Sequence, residues 1–197
     1  MVDTTHAGSR PGSRYSTVSI AFHWTIAILL VVQVFVGGWV EDLPRGPEKS
    51  EAFALHASLG ATILVLSLAR LAWRLAHPAP PLPPDYTPFV RGLARTTHAL
   101  LYVVMIGLPL TGWAAASTAG RPLPEIWGVI PFPRLPVSGD AAHDAAELLH
   151  TGVLLWSFGA LLALHVAGAL KHHLVDRDTT LWRMLPIVRP LGRRSGS

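Results

Sequence analysis

Four histidines occupy places where histidine is costly. His23, His56, His150 and His165 lie within long apolar stretches of a 197-residue chain that holds ten histidines and no cysteine. An ionisable side chain inside an apolar run is expensive and tends to mark function. Neutral imidazole can ligate haem iron axially, and it also suits zinc, copper and nickel. The lack of cysteine excludes disulfides, thiolate metal sites, cysteine-held iron–sulfur clusters and covalent c-type haem. A lone histidine in such a stretch is more often a hydrogen-bonding group within a helix bundle. Four at matched depths point to a bound cofactor.

The elements that must position them are four apolar runs, at about 18–40, 52–73, 97–117 and 148–170. Each is about 20 residues long, enough to cross roughly 30 Å of hydrocarbon. Hydrophobic residues make up 50% of the chain and charged residues 14%, with a mean hydropathy of +0.39. Soluble chains carry about 25% charged residues. The expected fold is all-α, an integral membrane four-helix bundle spanning 18–187, with polar tails at 1–17 and 188–197. The stretches 41–50 and 77–88, rich in turn formers and proline, cannot continue a helix. The first run exceeds the 7–15 apolar residues of a signal peptide, and VGGWVEDLP offers no A-x-A site, so it reads as a retained span.

Basic residues set the orientation. Of the sixteen Lys and Arg residues, only Arg45, Lys49, Arg121 and Arg134 fall on one face, and the other twelve share the face of the two tails. That asymmetry puts both termini in the cytoplasm. The net charge of +4 therefore hides a basic inner face and an acidic outer one, which reads as topology and lipid contact, with no nucleic-acid surface. Tryptophans near the ends of the runs fit an interfacial belt.

Depth sorts the histidines into pairs. His23 lies about six residues inside the first run, and His165 lies six residues before Lys171, so both are roughly 9 Å from the cytoplasmic end. His56 and His150 lie near the opposite end. His150 and His165 are separated by 15 residues, about 60° apart on an ideal helix and about 22 Å along it, so both can face the bundle interior. A flat cofactor with two axial positions fits between helices at each level, and haem b suits it. The pairs are then His23/His165 and His56/His150, holding two haem b groups as iron ligands. Two histidines per iron leave no open position, which favours electron transfer across the bilayer. Ala57, Gly60, Gly152, Ala167 and Gly168 would let a porphyrin approach the backbones. Arg70, Arg74, Arg95, Lys171 and His98 sit at the inner margin, where they could pair with haem propionates or simply anchor the interface. His172, about 20° from the face of His165, could do the same or replace His165 as ligand. Two further readings use the same residues: a histidine-lined metal-ion transporter, and a non-catalytic membrane scaffold.

These residues resemble the bacterial cytochrome b561 family. The matching stretches are YSTVSIAFHW, which leads into the first run, LHASLG at 55–60, TTHALLYVVMIGLPLTGW in the third run, and LHVAGALKHHLVDRDTTLWRMLP at 164–186. The resemblance runs from about residue 14 to 187. It implies a di-haem b protein of the bacterial inner membrane, with His23, His56, His150 and His165 as ligands. It also implies electron exchange with ubiquinone, an exchangeable substrate and no fixed cofactor. In at least one branch the donor is periplasmic superoxide, oxidised to oxygen as ubiquinone is reduced. An alternative within the same resemblance is a cytochrome b subunit that passes electrons between quinone and a protein partner of dehydrogenase or hydrogenase type. The chain departs from the family at His150, which is followed by Thr151 where an acidic residue is usual. Its separation from His165 is one residue longer than the family's.

Overall fold

Ser16 and Thr87 start two of the long helices in the same way. The Ser16 hydroxyl accepts from the Ser19 amide at 3.2 Å, and the Thr87 hydroxyl accepts from the Val90 amide at 3.3 Å. Each satisfies an N–H that the first helical turn leaves without a partner. Proline opens α2 and α3 at the first helical position, where its missing N–H costs nothing. The computed structural model describes residues 14–82 and 86–186. Most of the expected tails, with Arg10, Arg189, Arg193 and Arg194, lie outside the described residues.

The helices are α1 (Thr17–Asp42), α2 (Pro47–Ala76), α3 (Pro88–Thr118), α4 (Asp140–Glu147) and α5 (Leu155–Leu174). A π-helical segment, Leu148–Leu154, joins α4 to α5, so the fourth crossing is one continuous helix of 35 residues. Four helices are thus long and apolar enough to span a membrane. They run beyond the apolar stretches because backbone hydrogen bonds continue into polar flanks. The connection between the second and third apolar runs is correspondingly short, and Arg91 and Arg95 are helical. A two-residue antiparallel pairing of β1 (Glu125–Ile126) with β2 (Ile130–Pro131) is the one strand element among the described residues.

Packing is sequential. α1 lies on α2, α2 on α3, and α3 on both α4 and α5, whereas neither α1 nor α2 packs its backbone against α4 or α5 among the described residues. The bundle is therefore open along one seam. Only 11% of the most apolar window of α1, and 6% of that in the fourth helix, is buried by protein. Side chains such as Phe35 and Trp156, 75% and 78% exposed, are suited to lipid. Lipid gives no hydrophobic drive for helix to meet helix, so close packing and polar contacts hold the bundle.

Two straps close its ends. At the end away from the termini, the hairpin tip lies on α2. The Trp127 amide donates to the Ser58 hydroxyl at 2.9 Å and its indole N–H to the Thr62 hydroxyl at 3.1 Å. These bonds offset the left-handed backbone of Trp127, at φ 53°, which is unfavourable for a bulky residue. At the other end, the residues after α5 fold onto the start of α1. Trp24 Nε1 donates to the Met184 carbonyl at 2.8 Å, the Tyr15 amide to the Arg183 carbonyl at 3.3 Å, and Arg14 to the Leu185 carbonyl at 2.5 Å. The two ends of the described chain thus meet on one face.

Beside this strap, His172 joins Tyr86, Asp176, Asp178 and Thr180. The Tyr86 hydroxyl donates to Asp178 at 2.5 Å, and it lies 2.9 Å from His172 Nδ1 and 2.7 Å from the Thr180 hydroxyl. His172 Nδ1 is 2.8 Å from Asp176. The bond from Lys171 holds the Asp176 carboxyl below its ordinary value. Burial pushes Asp178 up, but the bonds from Tyr86 and Thr180 outweigh it and the carboxyl settles below its ordinary value. Burial, then the Asp178 contact, pushes the Tyr86 hydroxyl up to about 12. Carboxyls depressed on folding stabilise fully above an unfolded value of about 4 and lose that contribution as pH falls through their folded values. Hydrogen-exchange protection over 172–180, corrected for intrinsic rates, should be flat from about pH 5 to 8 and fall below about pH 4. Tyr86→Phe should lower it throughout that range, and protection unchanged at acid pH in both proteins would contradict this account.

Candidate functional site

The seam between the helix pairs is bridged by imidazoles. His23 on α1 faces His165 on α5, with ring centroids 6.2 Å apart and planes at 65°. His56 on α2 faces His150 in the π-helical segment at 6.1 Å and 85°. Two ring nitrogens each about 2 Å from one shared metal would put the centroids roughly 6 Å apart, so both pairs have the spacing of two imidazoles on a single iron. The helices that carry each pair make no backbone contact with one another among the described residues. A bare zinc site would need about four protein or water ligands. Among the described residues, the one group of three or more His or acidic side chains with ligand spacing is His172, Asp176 and Asp178. That cluster contains none of the four paired histidines.

Three of the four rings rest against neighbouring groups. His150 Nδ1–H donates to the Leu108 carbonyl at 2.8 Å, which fixes the tautomer and leaves Nε2 free. Its ring packs against Gly112, where an added Cβ would come 2.7 Å from His150 Cε1. His56 lies against Gly37 in the same manner, at 3.2 Å. Arg70 donates to His23 Nδ1 at 3.3 Å, and its guanidinium lies over Tyr102 at 5.5 Å.

The π-helical segment corrects the facing count made on an ideal helix. Bonding from i to i+5 widens the turn and advances each residue by less than the α-helical 100°. The uniform 60° offset between His150 and His165 therefore does not apply. Within the widened turn His150 still meets His56.

The other candidates have these surroundings. His98 sets its ring 5.2 Å from His165 and bonds the Ala94 carbonyl at 2.7 Å. His172 belongs to the Tyr86 cluster and does not stand in for His165. Lys171 is taken by Asp176 at 2.7 Å, and Arg70 turns inward to His23 and not to the surface. Arg74 and Arg95 are exposed. Of the small residues expected beside the cofactor, Gly60 abuts the Gln33 amide, Gly152 abuts Leu148, and Gly168 faces open space. Gly37 and Gly112, which touch the rings, were not anticipated, because a glycine on a neighbouring helix has no spacing relation to the histidine it admits. Gln33 was also missed. It donates to the His56 carbonyl at 3.0 Å and lies 3.3 Å from His56 Nε2. Its signal was available: a carboxamide in the middle of an apolar run.

The four basic residues at the hairpin end have distinct surroundings. Arg134 donates to the Ser117 carbonyl at 2.6 Å and also to the Arg121 carbonyl. Lys49 donates to the Leu43 carbonyl at 2.9 Å. Arg121 lies over the Phe53 ring at 4.4 Å, one helical turn before His56.

Comparison with known proteins agrees with this architecture. The family model for prokaryotic cytochrome b561 matches residues 14–186. Cytochrome b561 homolog 2 of Escherichia coli K12 is 33% identical over 179 residues, covering 87% of this chain and 91% of that protein. A probable superoxide oxidase, CybB, of Yersinia pestis is 32% identical over 179 residues, covering 88% and 96%. Cytochrome b561 homolog 1 of Escherichia coli K12 is 27% identical over 183 residues. Such a match, along nearly the full described length and over four membrane-spanning helices, makes the chain a member of the prokaryotic cytochrome b561 family, multi-pass membrane electron-transfer proteins for which haem b binding is implied.

Proposed function

We propose that this chain is a di-haem b electron carrier of the bacterial inner membrane, with both termini cytoplasmic, that passes electrons from superoxide to ubiquinone. The observation that carries the reading is the pair of imidazole couples at 6.2 and 6.1 Å across a seam where the helices do not pack. His23 and His165 would hold one haem, and His56 and His150 the other. Haem b with two imidazole ligands supplies one-electron transfer and leaves no iron position for oxygen to occupy. The chain's own part is to fix the rings and keep water out. Leu108 and Gly112 seat His150, Gly37 admits His56, and the Trp127 hairpin covers α2 near His56.

Superoxide as donor is supported by the relative named a probable superoxide oxidase and by local charge. The outer loops are acidic on balance, which opposes long-range attraction of an anion. Arg121 answers this locally: no carboxylate pairs with it among the described residues, and it lies over Phe53, one helical turn before His56. Two superoxide anions would yield two oxygen molecules and two electrons, which with two protons reduce one ubiquinone to its quinol.

The purified protein should contain two haems per chain by reduced-minus-oxidised spectroscopy. His23→Ala and His56→Ala should each fall towards one, and unchanged haem content would remove those residues as ligands. Gly112→Leu, which drives a side chain into the His150 ring, should also lose one haem. Arg121→Gln should slow superoxide-driven haem reduction roughly tenfold, on the scale of electrostatic steering, and leave dithionite reduction unchanged. Equal superoxide rates would exclude Arg121 as the local attractor.

A further inference from the structure

Arg70 is a cation without an anion. It lies on α2 six residues before Ala76, about 9 Å inside the helix end, where a charged side chain is expensive unless paired. The titratable and charged groups around it come from every neighbouring element: Tyr15 and His23 from the first part of the chain, Arg74 on α2, Tyr102 and His98 on α3, and His165 on α5. None of these is a carboxylate, and no ion pair reaches Arg70 among the described residues. Its guanidinium donates to His23 Nδ1 at 3.3 Å and lies over the Tyr102 ring at 5.5 Å. The other basic candidates at this level are engaged elsewhere. Lys171 is held by Asp176, His98 shares its Nδ1 with the Ala94 carbonyl, and Arg74 and Arg95 are exposed.

The bond to His23 carries a contradiction that points to the missing anion. A guanidinium only donates, so the Nδ1 that faces Arg70 must be bare, and the ring's proton then sits on Nε2. A neutral imidazole that gives Nε2 to iron carries its proton on Nδ1 instead. Two donors would then face each other at hydrogen-bonding distance. Either His23 loses its second proton, or Arg70 lets go. An imidazole N–H holds that proton far more tightly than a carboxyl, which ionises at about 4, and haem b brings carboxylates of its own in its propionates. We propose that Arg70 releases His23 when iron is bound and clamps a propionate of the haem held by His23 and His165. The inference rests on the di-haem reading above. A guanidinium matches a carboxylate through two parallel charge-assisted bonds, and the long arginine stem lets it exchange partners while Tyr102 offers its ring face to the cation. The clamp satisfies the cation and frees the ring in one movement.

The test is a potentiometric titration of the intact protein in nanodiscs at several pH values, with haem content measured on the same samples. Arg70→Gln removes the cation and leaves a propionate unpaired, which favours ferric iron. One of two midpoints should fall, with the other in place and two haems bound. The fall should be full at about pH 8 and shrink towards about pH 5, as the unpaired carboxyl, raised by its apolar surroundings, takes a proton. Arg70→Lys keeps the charge and should stay near the parent. An unmoved midpoint in the Gln variant would overturn the proposal. So would a fall of equal size at every pH, which places the cation by the ring alone, or a rise, which means that Arg70 had held a deprotonated His23. Should Arg70→Gln lose a haem, Arg70→Lys decides by resonance Raman: an ammonium cannot reproduce the two-bond clamp, so the propionate bending band should shift, and an unshifted band would overturn the proposal. Failure of the underlying reading looks different: the unsubstituted protein would show other than two haems, or His23→Ala would keep both.

Discussion

Everything in this structure depends on imidazoles standing opposite one another in a seam that the helices leave open. In water, a bundle with one unpacked side would collapse, because burying that apolar surface is favourable by about 25 cal/mol per Å². In lipid the incentive vanishes, since acyl chains solvate the seam as well as leucine does. The α1–α2 unit and the α4–α5 unit can therefore remain apart, joined through α3, with His23, His165, His56 and His150 reaching across. A group ligated at both levels would cross-link the two halves, so cofactor binding and bundle assembly are coupled. Linkage of this kind stabilises the folded state by an amount that grows with ligand occupancy.

The same constraint explains where small and polar residues fall. Glycine appears where a ring from another helix comes close to backbone, at Gly37 and Gly112. The π-helical turn carries His150 itself, whose ring faces His56. Within the spans, polar groups appear where a ring must be oriented: the Leu108 carbonyl, Arg70 and Gln33. Pro109 lies beside that carbonyl inside α3, where it removes an amide donor and weakens the local ladder. The strap that ties Trp24 to Met184 then fixes the start of α1 one residue from His23.

Much of this was legible before any coordinates. Apolar runs about 20 residues long identify spans because the bilayer imposes a length, and depth alone grouped the four histidines into the couples that now face each other. Helix ends were less legible, since hydrogen bonding continues past the hydrocarbon, as at Pro88–Thr96. The offset between His150 and His165 was misjudged because a π turn has no signature in residue type. Gly37, Gly112 and Gln33 were overlooked because their partners lie on other helices, and spacing along a chain says nothing about a contact between non-neighbouring stretches. Lys171 and Arg70 were placed by charge near an interface, and each found a nearer partner, in Asp176 and His23.

The central claim, two irons each held by two imidazoles from different helices, is tested most directly by electron paramagnetic resonance of the oxidised protein. With ring planes at 65° and 85°, the account predicts two highly anisotropic low-spin ferric signals, distinguishable by stepwise reduction. A high-spin signal of matching intensity, a single low-spin species at full haem loading, or a colourless preparation would contradict it.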